Sequence, residues 1–259
     1  MTEITRAQLN KASEISEVNP AARKVSFSAS SIEVAYNTVF RLFVILDIYG
    51  KMHYWRKGYF ETLREAAADA VRESASWQDY ADFCLEYERG LRSQAFLILG
   101  RFISRMEPES FMERRRFVSW LMKTSYRQDG RHMLLPHPLT RRIVEPTLLE
   151  WTVAEPSDPE PHRWIGGIEH LERAIELDPA DFIALRELVI VLLSQVSYAT
   201  HELPTGYLGS TSEDLAALDR AEALLPRLAN EEDRAAYAVD IAEERYAIHE
   251  YLLKRNRPS

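Results

Sequence analysis

Apolar residues recur along most of the chain at the three-to-four-residue spacing of a helix that buries one face. Ile32, Val34, Ala35, Val39, Leu42, Phe43 and Leu46 predict a helix over residues 31–48, with Glu33 near its positive end. Before it, residues 2–18 read as weakly helical and Pro20–Ser31 as a linker. Residues 58–75 are dense in Ala, Leu, Arg and Glu, all strong helix formers. Ser76, with Asp79 three residues on, opens a long helix. Its stripe of Tyr80, Phe83, Cys84, Tyr87, Leu91, Ala95, Ile98, Phe102 and Ile103 runs to about Met106. Pro108 suits the first turn of the next helix, whose apolar set is Phe111, Phe117, Val118, Leu121 and Met122.

The middle of the chain is punctuated. Pro136, Pro138 and Pro146 bracket a short segment, and EPSDPEPHR (155–163) carries three prolines among acids. A boundary is expected there, between a helical N-terminal subdomain, 1–155, and a helical C-terminal one, 156–259. Helical periodicity resumes over 163–177, 181–198, 212–225 and 231–254, with Pro179 and Pro226 as stops. The pattern predicts an all-α protein of antiparallel helical hairpins, bundle-like in its N-terminal part.

Within the C-terminal part, LERAIELDPAD (171–181) has a small residue, Ala174, on the helix and a proline, Pro179, just beyond it. LDRAEALLP (218–226) repeats the arrangement with Ala221 and Pro226. This pattern resembles the end of a tetratricopeptide (TPR) repeat, and counting back from Pro179 places Trp151 at that family's aromatic position. The prolines stand 47 residues apart rather than at the family's period, leaving room for an insertion that includes THELPTGYLG (200–209). The resemblance covers about the last 100 residues. It implies stacked helical hairpins and, by analogy, a protein-binding groove.

Composition agrees with helices joined by short connections: 259 residues hold only 9 Gly, while hydrophobic residues make up 46% and charged residues 28%. The most apolar window, Val34–Tyr49, is interrupted by Arg41 and Asp47 and reads as a buried helix rather than a membrane span. With a single cysteine and no secretory signal pattern, the expected location is cytoplasmic, without a membrane partner.

Charge divides the chain. Residues 1–150 hold 22 Lys+Arg against 19 Asp+Glu, whereas residues 151–259 hold 10 against 21. The acidic half repels phosphate backbones and attracts basic partners. Between Arg101 and Arg142 there are ten Lys or Arg, with Arg114, Arg115 and Arg116 as a basic patch and aromatics interleaved. Pairing with acids of the same chain is favoured over nucleic-acid contact, because the aromatics keep helical spacing and the whole chain is acidic.

The residues show no HExxH, GxSxG, GxxxxGK[ST] or GxGxxG pattern, so neither cofactor nor metal is expected. His132 and His137 are the closest histidine pair and sit in a proline-containing stretch. Cys84 lies among Phe83 and Tyr87 and reads as a core thiol.

The long connection THELPTGYLG is the remaining candidate. Read as a site, it supplies His201, Glu202 and Tyr207, with Glu213 and Asp214 just after it, to a partner. Read as structure, Pro204 and Gly206 make a turn and Tyr207 and Leu208 tuck into the core. The function this supports is a non-enzymatic module that binds a protein of basic surface, in its sharpest form an immunity protein occluding a toxin. The alternative is an enzyme or small-ligand binder with an interhelical site using His201, Glu202, Tyr207, Arg89 and Arg92. Oligomeric state is left open.

Overall fold

A computed structural model describes residues 57–127 and 131–255. The elements expected over 2–18, 20–31 and 31–48 lie outside the described residues. Among the described residues, ten α-helices of seven residues or more follow one another: α1 (Lys57–Glu73), α2 (Gln78–Glu88), α3 (Arg92–Met106), α4 (Phe111–Arg127), α5 (Glu145–Ala154), α6 (Pro159–Ile165), α7 (Gly167–Leu177), α8 (Phe182–Thr200), α9 (Thr211–Leu224) and α10 (Glu231–Arg255). The class is all-α, with no strand among the described residues.

The long helix expected from Ser76 to Met106 is two helices. Gly90 adopts φ +79°, a left-handed conformation that suits glycine, and closes α2. Leu91 N–H returns to Glu86 O (2.9 Å) and Gly90 N–H to Tyr87 O (3.0 Å), the paired bonds of a Schellman cap. The apolar stripe is interrupted at this turn, where residues 89–94 are exposed and Leu91 stands 52% exposed rather than in the core, and it resumes at Ala95 because both helices face one core. The stretch expected to be helical over 163–177 also breaks, at Gly166 and Gly167 (φ 72° and 74°).

Most of the prolines in these segments stand in the first turn of a helix, while Pro136 and Pro156 lie outside helices. Asp158 caps α6 by accepting from Glu160 N–H (2.9 Å), and Pro159 and Pro161 occupy the first turn, where a missing N–H removes nothing. Upstream, His137–Leu139 forms a short turn that runs into a π segment, Thr140–Val144, and then α5. Pro146 has no N–H to bond back to Arg142, and the backbone widens just before it.

Two hydrophobic clusters lie under these helices. The first runs from Leu63 to Trp164 and centres on aromatic rings: Phe117 lies 5.2 Å from Trp77, 5.2 Å from Tyr80 and 4.8 Å from Phe102. Tyr80, fully buried, donates to Leu134 O (2.9 Å) and so ties the segment after α4 into this core. The second cluster is aliphatic, built from Leu171 and Ala174 on α7, Leu185, Leu188, Val189 and Leu192 on α8, Leu218 and Ala221 on α9, and Ile241 and Ile248 on α10.

Asp181, 3% exposed, joins the two: it caps α8 through Ala184 N–H (2.9 Å) and accepts from Arg163 of α6 (2.6 Å). Among the described residues, α8 is long and apolar enough to cross a membrane by length and composition. Here it is the central helix of the second cluster, with α7, α9 and α10 packed against it.

Candidate functional site

α8 leaves its last carbonyls to be satisfied by the chain that follows. His201 N–H donates to Ser197 O (3.1 Å), and Leu208 N–H comes back to Ala199 O (3.0 Å), closing the loop 201–207 onto the helix end. Inside it, Thr205 and Gly206 N–H groups donate to Glu202 O at 2.8 and 3.1 Å. Ser210 then caps α9, its hydroxyl accepting from Glu213 N–H and its carbonyl from Asp214 N–H (2.9 Å).

The loop is clamped by side chains as well. The Tyr207 hydroxyl donates to Asp214 Oδ2 (2.7 Å), whose carboxylate is 3% exposed. The Tyr207 ring stacks on Tyr251 of α10 (centroids 5.3 Å, 22°), and the Thr200 hydroxyl donates to Glu244 of the same helix (2.6 Å). Burial, reinforced by the Asp214 carboxylate, pushes the Tyr207 pKa upward, so the phenol stays protonated as a donor. Gly209 passes through the tightest point: a Cβ there would meet Asp214 Oδ2 at 2.7 Å and the Ala199 methyl at 3.1 Å.

The candidate residues therefore separate into two groups. Tyr207 and Asp214 face each other and hold the loop. His201, Glu202 and Glu213 are exposed. His201 Nδ1 donates to Tyr198 O (2.5 Å) and its Nε2 lies 3.2 Å from Glu202, while its ring packs on Tyr198, itself 56% exposed. Leu208 is 51% exposed rather than tucked into the core, because its N–H returns to α8 and its side chain is left outside. Tyr198, His201 and Glu202 form one exposed cluster at the end of α8, and Leu208 and Glu213 are exposed further along the chain. The imidazole and the carboxylate are each about half exposed, at 46% and 55%. Arg89 and Arg92 belong to the first cluster's helices, where Arg89 pairs with Glu86 (2.7 Å) and Arg92 lies over Phe96 (5.6 Å).

The basic patch is engaged within the chain. Arg114 pairs with Glu150 (2.7 Å). Arg115 pairs with Glu155 and Asp158 and lies 4.2 Å over the Trp151 ring, and Arg116 donates to Glu73 O and lies over Trp77 (5.4 Å). These contacts bind α4 to α5, to the start of α6 and to the end of α1.

His162 and His170 pair, with Nδ1 atoms 2.9 Å apart across the Gly166–Gly167 bend. Eight residues of separation gave no sign of this, since the bend brings the two helices face to face. Burial, and for His162 the neighbouring His170, lowers both pKa values. No group of three or more His, Cys, Asp or Glu stands together for a metal ion among the described residues. Cys84 is fully buried and burial pushes its thiol up to about 12, far from thiolate chemistry at neutral pH.

No protein-family model, curated protein or solved structure matches the chain.

Proposed function

We propose that the chain is a non-enzymatic, TPR-like binding module whose acidic C-terminal half holds a protein of basic surface. The observation that carries this reading is the clamped loop after α8. Hydrogen bonds at Ala199, Glu202 and Asp214 and the stack on Tyr251 fix its backbone, while His201, Glu202, Leu208 and Glu213 are left facing solvent. A loop ordered before binding loses little entropy when a partner docks. The excess of acids after residue 150 adds attraction for a basic partner, and it acts mainly on the association rate.

Support for the TPR-like reading comes from Ala174 and Ala221. Both are fully buried, as a small residue between crossing helices must be, and Pro179 and Pro226 stand just past the ends of α7 and α9. In its sharpest form the module is a cytoplasmic immunity protein that covers the basic active site of a toxin.

The test is capture from the native host with the purified chain, at low and high salt, beside a Glu202→Lys/Glu213→Lys variant. The expected result is a stoichiometric basic protein that is lost at high salt and not retained by the variant. Co-expression then asks whether the chain relieves toxicity of that protein. A partner retained equally by the charge-reversed variant, or no partner at either salt, overturns the reading.

A further inference from the structure

α10 carries two apolar faces on nearly opposite sides. Tyr237, Ile241, Ile248 and Leu252 face the second cluster. On the far side, Ala235, Val239, Ala242, Tyr246, His249 and Leu253 are all exposed and follow one another at spacings of four, three, four, three and four. That alternation is the seam of a coiled coil, and it holds the most exposed large apolar side chains of this helix: Val239 at 56%, Tyr246 at 66% and Leu253 at 68%. A solvated helix face has no reason to keep this register, because a surface helix normally carries polar residues opposite its buried stripe.

We infer that this seam pairs with the same seam of a second copy, antiparallel, about a two-fold axis at residue 244. Two features of the helix select this occupant. The first is shape. Reversing the seam on itself sets Ala235 opposite Leu253, Val239 opposite His249 and Ala242 opposite Tyr246, so each layer joins a smaller to a larger side chain, as interlocking layers require. The surface around Tyr246 is open, lined by the small side chains of Ala238, Val239 and Ala242 with Glu243 at its edge, which leaves room for the opposing Tyr246. The second is charge. α10 begins with Glu231 and Glu232 and ends with Lys254 and Arg255, so antiparallel copies bring the acidic end of each to the basic end of the other; Asp233 is taken by Arg186 of α8, and Lys254 also pairs with Glu250 of its own helix. Antiparallel packing also opposes the helix dipoles, whereas a parallel pair would stack like charges at both ends. Two like-charge contacts fall near the axis: Glu243, exposed on one rim, approaches its own copy, and so does Arg245 on the other rim, where Asp219 and Glu222 of α9 offset its charge.

The surface is separate from the loop that carries the proposed function, and it stands or falls without it. The test is sedimentation equilibrium of the full chain from the micromolar range upward, with circular dichroism to verify helicity. The chain is expected to dimerise. Val239→Glu/Tyr246→Glu changes only exposed side chains, so it is expected to keep the helical signal and the melt while raising the dimer dissociation constant at least about 30-fold. Glu243→Gln is expected to tighten the dimer. Mixing Ala235→Cys with Leu253→Cys chains under oxidation is expected to give the mixed disulfide and neither homodimer, because each position lies roughly 27 Å from its own copy in this register. A chain monomeric at every concentration overturns the proposal, whether the seam is then bare or covered by another segment of the same chain. So does a dimer indifferent to the double variant, a Glu243→Gln dimer that is weaker, or an Ala235→Cys chain that cross-links to itself.

Discussion

Replacing Tyr207 by Phe removes one oxygen atom and leaves the ring on Tyr251. The lost hydroxyl donates to Asp214 at 2.7 Å, and that carboxylate is 3% exposed, so water cannot readily replace the donor. A hydrogen bond to a charged, buried group contributes about 1.5–3 kcal/mol, and an abandoned partner costs a similar amount in desolvation. For a chain of this size that is a fall of about 3–12 °C in Tm. Urea and thermal unfolding of Tyr207→Phe beside wild type measure it. Asp214→Asn is the control: it keeps an oxygen to accept from the phenol and is expected to lose less than Tyr207→Phe. In a double-mutant cycle with Asp214→Ala, the two positions are expected to couple by more than about 1 kcal/mol. A Tyr207→Phe protein as stable as wild type would refute the reasoning, since the loop would then be held by its backbone bonds alone.

Three shorter predictions concern other parts of the fold. Gly90→Ala forces an L side chain into φ +79° and is expected to cost about 1 kcal/mol, whereas Gly100, inside α3 with open space around it, is expected to gain about 1 kcal/mol on the same change; paired melts check both signs. His162 and His170 have pKa values lowered by folding, so their contribution is present above the unfolded value near 6.5 and is lost as pH falls below it; His170→Phe is expected to flatten the fall in Tm below pH 6.5. Arg115→Lys is expected to lower stability by about 1 kcal/mol or more in urea unfolding, because an ammonium cannot serve Glu155 and Asp158 together while lying flat on Trp151.

The all-α class was legible because scarce glycine and sustained helical periodicity point the same way. Helix boundaries were less legible, for identifiable reasons. The apolar positions resume at Ala95 after Gly90 because α2 and α3 share one core, so periodicity alone counts the exposed Leu91 with the stripe and cannot register the turn that the glycine makes. Pro159 and Pro161 read as breaks, yet the first turn of a helix needs no N–H from them, and Asp158 ahead of them was the signal of a start. At the candidate site, His201, Glu202 and Glu213 could be picked by type and by loop length, but nothing in their spacing distinguishes exposed residues from clamping ones. That distinction depends on Asp214 lying under Gly209, one turn into α9, which only the folded backbone brings about. The seam on α10 was present in the sequence as a second period superimposed on the first, and a single apolar count over 231–254 merges the two.

The clamped loop and the seam meet on one helix. Tyr251 and Glu244 hold the loop from the inner face of α10, while Tyr246 and Leu253 lie on its outer face. An antiparallel pair centred on residue 244 would therefore set the two Tyr251 positions about 21 Å apart along the helix axis, seven residues to either side at 1.5 Å each. Two rigid, acidic loops at a fixed separation suit a partner that offers two basic sites, whose second contact would be intramolecular and would raise avidity without any new interaction. A partner with one basic site would gain nothing from the pairing. Comparing partner affinity between wild type and the Val239→Glu/Tyr246→Glu monomer separates the cases: an unchanged affinity assigns the loop alone to recognition, and a large fall makes the dimer the binding unit.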